Sequence, residues 1–393
     1  MEILVISHKY PPSIGGMQTH CFKLVEELEK NHTIHPVIWK NNYPRGFFFL
    51  TVIFRVLIRL KRNPQIKCIY VNDGLMALIC TPLLFLTSVP MYVTIHGLDV
   101  TFPSKFYQGW IRKYLNQYHK IITVSGPTTD LCLKKDVRPD KLTLIENAVD
   151  INFQEEPENP NFRSEFGQEI GANLEGKFLI CSLGRAIPRK GFNWFTRNVY
   201  PSLPENAVYL VIARKFPQEK LFRWIQRLTP GRLFEKIRLL VGAEIDDTAV
   251  NNSIREMKLE GRVFYLSQFT HSRAKIFQII KHCDLFVMPN IEIPGDYEGF
   301  GLVALEAASQ GTLTLAANMD GIPSAVKNGI NGYLIEGGNA TEWSLKIRYF
   351  MDHPEELKAS AQEFKINTMT KGRSWDTMAR RYAEVFSETP EPN

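Results

Sequence analysis

The chain has 393 residues, 44% of them hydrophobic and 22% charged. That balance belongs to ordinary globular proteins and excludes a disordered tail, a collagen and a small disulfide scaffold; at roughly 150 residues per domain it allows two or three domains. Forty-seven basic residues against 41 acidic ones leave a formal charge of +6, too small and too evenly spread to point to a nucleic-acid partner.

Met1 to Ser7 carry an acid, no basic n-region and an apolar run too short for a signal peptide, so they read as a first buried strand. The loop Pro11-Pro12-Ser13-Ile14-Gly15-Gly16 follows, then Gln18–Glu29, in which Phe22, Leu24, Val25 and Leu28 mark one helix face. Strand-like runs recur at Ile34–Trp39, Cys68–Val71, Met91–Ile95, Ile121–Val124 and Leu142–Ile145. From Lys30 to Asn72 there is no Asp or Glu. Within that stretch Phe47–Arg62 is aromatic and aliphatic, with Arg55, Arg59 and Arg62 on one helix face. It is too short and too charged to span a bilayer. It fits a helix lying in an anionic interface, with Phe47, Phe48, Arg55, Arg59 and Arg62 as candidate membrane contacts; the alternative is a core helix with its arginines in water. Leu75–Val93, broken by Pro82 and Pro90, reads as a core helix leading into a strand.

Gln154–Asn161 is acidic and Pro-rich and reads as a linker. The pattern then restarts, with strands at Phe178–Leu183, Val208–Ala213, Ile237–Val241, Leu285–Met288 and Thr312–Ala316, closing helices at Ala340–Phe350 and Ser374–Phe386, and a fraying end at Thr389–Asn393. Strand and helix alternating in this way imply an α/β protein with two parallel sheets covered on both faces. Ligands of such sheets sit outside the carboxyl ends of the strands. The six cysteines are scattered, with no CxxC pair and no zinc spacing, and read as reduced, buried thiols of a cytosolic chain.

Four loops that follow strands carry the chemistry. In Glu298-Gly299-Phe300-Gly301-Leu302-Val303-Ala304-Leu305-Glu306, two glycines lead into a helix over Leu302–Ser309 that stops at Gly311. Its first amides lack intrahelical partners and make an anion site, for which phosphate is the usual occupant. Glu298 and Glu306 flank that cradle, and a carboxylate beside phosphate is suited to sugar hydroxyls, so the pair suggests a nucleotide sugar. In Gly184-Arg185-Ala186-Ile187-Pro188-Arg189-Lys190-Gly191, Arg185 and Lys190 can reach one diphosphate; a solvated basic loop is the bland alternative. Gly15-Gly16 follows the first strand, and His96-Gly97-Leu98-Asp99 follows the strand at Met91–Ile95. No Asp-x-Asp metal motif is present; Asp246-Asp247 reads as a helix-capping pair.

Together these motifs resemble the retaining GT-B glycosyltransferases of the group 1, or family 4, type, the Glu298–Glu306 spacing being the most specific part of the likeness. The resemblance implies two Rossmann-like domains facing across a cleft. One, at 1–170, would bind the acceptor, with a helix from about 374 to 393 packing back on it; the other, at 171–373, would bind the nucleotide sugar. It implies catalytic roles for His96, Arg185, Lys190 and Glu298. Donor contacts would come from Gly15, Gly16, Phe300, Gly301, Leu302, Val303 and Glu306, with Glu306 on the ribose. No metal and no cofactor are expected beyond a UDP- or GDP-sugar donor, whose base would be read by backbone groups in loops such as Ser267–Thr270. The expected acceptor is a membrane lipid or lipid-linked glycan, and the expected place is the cytoplasmic side of a membrane, with peripheral contact. Asp296-Tyr297-Glu298-Gly299 is reminiscent of mannosyltransferases acting on phosphatidylinositol lipids. The chain departs from the family at Glu146-Asn147-Ala148-Val149-Asp150 and at Ser324. A nucleotide-sugar 2-epimerase of the same fold and a non-catalytic sugar-binding scaffold are the competing readings.

Overall fold

The computed structural model describes residues 1–13, 15–151, 159–214, 247–268 and 272–388. Ile14, Gln154–Glu158 of the linker, the strand expected at Ile237–Val241, Asp246, Phe269–Thr270 and the fraying end at Thr389–Asn393 lie outside the described residues. The chain divides into two compact units. The first comprises Met1–Ala148, Tyr297–Leu302 and the segment from Lys371; the second comprises Val149–Asp296 and Val303–Thr370.

The first unit holds a parallel sheet of β1 (Glu2–Ser7), β2 (Thr33–Ile38), β3 (Ile66–Val71), β4 (Met91–Ile95), β5 (Lys120–Thr123) and β6 (Leu142–Leu144), in the order β2-β1-β3-β4-β5-β6. Ile3 to Ile6 of β1 are wholly buried, as a continuous apolar run must be when helices cover both faces. Pro36, opposite Val5, is tolerated because β2 is an edge strand. Ile69, Val71, Val93 and Ile95 join one core with Phe48, Val52 and Val56 of the Arg45–Arg62 helix and with Met76, Ala77, Trp110 and Ile111. The alternate residues Tyr70, Tyr92 and Thr94 face the other way, by the period of two. There they meet the Trp375–Ser387 helix: the Thr94 and Tyr382 hydroxyls are 3.0 Å apart, and the Tyr92 and Phe386 rings meet edge to face.

The second unit holds β7 (Phe178–Arg185), β8 (Ala207–Arg214), β9 (Val263–Tyr265), β10 (Leu285–Met288), β11 (Leu313–Ala317) and β12 (Tyr333–Ile335), all parallel, in the order β12-β11-β10-β7-β8-β9. The three-residue edge strands β9 and β12 are too short to stand out in the sequence. The chain enters this unit at Val149, ahead of residue 170, because the Phe162–Ile170 helix is tied to the second sheet: Arg163 donates to Asp284 at 2.8 Å and to the His282 carbonyl at 3.1 Å. All six cysteines are buried free thiols. Among the described residues, no helix is long and apolar enough to cross a membrane.

Strand order reverses between β1 and β3 in one sheet and between β7 and β10 in the other. Crevices of this type open at the carboxyl ends of the strands on either side of the reversal. Three of the four motifs begin at such ends, and His96 lies one strand further on, after β4.

Candidate active site

In the second unit β7 ends on Arg185, which is exposed, and the chain turns at once: the Ile187 amide donates to the Arg185 carbonyl at 2.9 Å. Pro188–Lys190 form one 3-10 turn, closed by Gly191 at φ +69°. β10 pairs with β7 in parallel, so the loops after the two strands leave side by side. Gly191 has to be glycine there, since a Cβ would stand 1.8 Å from the Pro289 carbonyl oxygen. The Ile291 amide donates to the Arg189 carbonyl at 3.0 Å, and Arg189 Nε lies 3.0 Å from Asp296 Oδ1. Lys190 is buried, its aliphatic stem lying over Gly184. The two cations expected to meet a diphosphate thus leave one short turn at the strand-order reversal of their sheet.

The Leu302–Ser309 helix has the bounds expected from the sequence. Ala304, Leu305, Ala307 and Ala308 are buried, which fixes its apolar face, and Gly301, at φ +95°, sets the bend into its first turn. Glu306 is buried; Arg273 donates to its Oε1 at 2.8 Å. Burial raises the Glu306 carboxyl pKa, and Arg273 opposes that rise. Neither Arg273 nor the Arg189–Asp296 pair stands out in the sequence. Arg273, an exposed residue at the start of the Arg273–Lys281 helix, stands 33 residues before its partner, and nothing in a linear pattern marks Arg189 as a buried basic residue of its loop.

In the first unit two further motifs touch. A Cβ on Gly299 would sit 2.1 Å from the His96 carbonyl oxygen, and one on Gly97 would sit 2.4 Å from the Tyr297 ring. The Glu298 backbone is therefore held against the His96-Gly97 turn. His96 Nε2 donates to the Asn72 carbonyl at 2.9 Å, which leaves the lone pair on Nδ1. Burial lowers the His96 pKa and keeps the ring neutral. His20, 5.1 Å away ring to ring, is driven down to about 3, first by burial and then by His96. Its Nδ1 donates to Asn147 Oδ1 at 2.7 Å, which gives the Asn147 segment a fixed contact beside the helix that Gly15 and Gly16 open. Among the described residues, a Cβ on Gly16 would meet nothing within 4 Å.

Two buried carboxylates lie below His96. Asp99 Oδ2 accepts from the His96 amide at 2.7 Å. Asp73 caps the Gly74–Cys80 helix by accepting from Met76 N at 3.0 Å and lies 3.2 Å from His8 Nδ1. Burial, and then the Asp73 charge, pushes Asp99 up to about 7. Burial is the largest single influence on Asp73 and acts to raise it, but His8, the Met76 amide and Lys9 together outweigh it and Asp73 is held down to about 2.

The candidate membrane contacts separate. Phe48 is fully buried and cannot meet lipid: it faces the sheet, with Val52 and Val56 at successive i+4 positions. Arg55 is half-buried and donates to Tyr43 Oη at 2.8 Å and Thr51 Oγ1 at 3.0 Å, so it does not form a free basic stripe with Arg59 and Arg62, which are exposed. The outward face is instead apolar: Phe47, Leu50, Phe54 and Ile58 are 54%, 78%, 68% and 52% exposed.

Residues 165–367 match the family described as Glycosyl transferases group 1, and residues 31–153 match Glycosyltransferase Family 4. The D-inositol 3-phosphate glycosyltransferase of Corynebacterium efficiens is 25% identical over 66% of this chain and 54% of its own length. The UDP-Gal:alpha-D-GlcNAc-diphosphoundecaprenol alpha-1,3-galactosyltransferase of Escherichia coli is 26% identical over 64% of this chain and 57% of its own. The chain thus spans little more than half the length of these two relatives. Anabaena HepE, solved in complex with UDP and glucose, is similar in structure with a TM-score of 0.76 at 18% identity, covering 99% of this chain and all of that one. That likeness shows a GT-B fold.

Proposed function

The chain belongs to the glycosyl transferases of group 1, and on that premise we propose that it moves a sugar, with retention of anomeric configuration, from a UDP- or GDP-sugar to a lipid-linked or cell-envelope glycan. The observation that carries this reading is the pairing of β7 with β10, which sets the Arg185–Lys190 turn beside the loop after β10 where the sheet order reverses. A relative whose name gives a UDP-galactose donor and a diphosphoundecaprenol acceptor supports it, as does the fold shared with a protein solved with UDP and glucose.

In the proposed reaction the bond between the anomeric carbon and the phosphate oxygen breaks while the acceptor oxygen bonds to that carbon on the same face. The acceptor's proton passes to the leaving phosphate oxygen. Negative charge grows on the diphosphate, so groups that meet it most strongly then lower the barrier. Arg185, Lys190 and the amides that open the Leu302–Ser309 helix are assigned that part, with no metal ion given a role. Neutral His96 offers Nδ1 as an acceptor to a sugar hydroxyl. Glu298 is assigned to the donor sugar and Glu306 to the ribose, with Gly15, Gly16, Phe300 and Val303 lining the donor.

The Arg45–Arg62 helix supports a peripheral contact with an anionic membrane, made by its outward apolar residues with Arg59 and Arg62 at the rim. Incubation with a panel of UDP- and GDP-sugars tests the reading. Slow release of free nucleoside diphosphate, accelerated by a lipid-linked acceptor, is expected. Conversion of the donor to its C2 epimer would make the protein an epimerase, and binding without turnover would make it a scaffold.

A further inference from the structure

Arg189 and Asp296 form an ion pair with Nε and Oδ1 3.0 Å apart and side chains 6% and 4% exposed. Taking both charges out of water is costly, and well-packed apolar residues of similar size would hold two loops together at least as firmly. An ion pair differs from an apolar contact in holding two particular atoms at one short separation, here 3.0 Å, because the attraction between opposite charges falls as they part. The pair sits where that separation counts. Arg189 immediately precedes Lys190, and its carbonyl accepts from Ile291. Asp296 closes a turn through its amide to the Ile293 carbonyl at 3.0 Å, and it is the last residue of the second unit before the chain passes to Tyr297 and Glu298.

We propose that Arg189 and Asp296 are a positioning pair for glycosyl transfer. They fix the Lys190 turn and, through the chain, the departure point of the segment that carries Glu298. The pair touches no substrate; it sets where two assigned groups stand. This rests on the reading of the Arg185–Lys190 turn as the diphosphate site, and the test separates the two.

The variants are the double substitution Arg189→Met/Asp296→Leu, the single substitution Asp296→Glu, and Lys190→Ala for comparison. Each is compared with wild type by thermal melting, by UDP and GDP affinity, and by kcat and KM for nucleoside diphosphate release from whichever of UDP-glucose, UDP-galactose and GDP-mannose the wild type consumes. The double variant removes both charges of the pair together, so it is expected to melt within a few degrees of wild type. Its nucleotide affinity and KM are expected to change by no more than about threefold while kcat falls about 10- to 100-fold, the scale of a misplacement near 1 Å. Asp296→Glu keeps the charge but lengthens the arm, and a fall in kcat of at least about fivefold is expected, so the question is decided even if the double variant does not fold. A folded double variant or Asp296→Glu variant with wild-type kcat overturns the positioning role. If Lys190→Ala loses turnover while the pair variants keep it, only the pair proposal fails. If Lys190→Ala turns over like wild type, the diphosphate reading fails and takes the pair proposal with it.

Discussion

At Gly299 a methyl group would meet the His96 carbonyl oxygen at 2.1 Å, with backbone on both sides of the contact. Gly299→Ala is therefore expected to cost about 1–3 kcal/mol in chemical denaturation, the range for overpacking, and to lower turnover by displacing Glu298; equal stability would show that the contact relaxes freely. Asp99 makes a second prediction, with the sign set by its raised pKa. Between the ordinary value of 3.8 and about 7, the folded state keeps a proton that the unfolded chain has lost. Stability from this group therefore falls as pH rises through that window. Asp99→Asn should gain on wild type by on the order of 1–3 kcal/mol between pH 5 and pH 8, read from paired denaturation curves. Asp73 runs the other way, its contribution being lost as pH falls from about 4 to about 2. Residues of this kind divide by legibility. Arg185, Lys190 and Gly301 stand out because a loop after a strand and a helix start are local features. Arg189 and Asp296 do not, because their meaning comes from burial and from a partner distant in the chain, and Arg273 does not, because its partner Glu306 lies on another helix.

The Arg45–Arg62 helix shows what a sequence period can and cannot fix. Its existence follows from the spacing of apolar residues, but the run is apolar nearly all round, so the side that faces the sheet was not legible; packing chose Phe48, Val52 and Val56. Phe48→Ala is expected to destabilise the protein by about 3–5 kcal/mol, as for other buried phenylalanines. Leu50→Ser/Phe54→Ser should change stability by less than about 1 kcal/mol, because exposed positions away from special features rarely cost more. That double variant should also lose most sedimentation with phosphatidylglycerol vesicles; undiminished binding, or no binding by wild type, would remove the membrane contact. The long buried strands were legible as continuous apolar runs, whereas β9 and β12 depend on neighbours that pair with only three residues.

Across the molecule the same device appears twice: a six-stranded parallel sheet among the described residues of each unit, with strand order reversing once in each. The alternation of strand and helix made that architecture legible. It did not reveal that the short run Tyr297–Leu302 groups with the first unit rather than with the strands on either side of it, since a chain crossing leaves no periodic mark. The account as a whole turns on whether a nucleoside diphosphate is held by the turn after β7. Calorimetric titration of UDP and GDP into wild type, Arg185→Ala and Lys190→Ala addresses this most directly. Wild type should bind at least one of the two nucleotides. Each variant should melt normally and bind it about 10- to 100-fold more weakly, as loss of a hydrogen bond to a charged group implies. Wild-type affinity in both folded variants would contradict it.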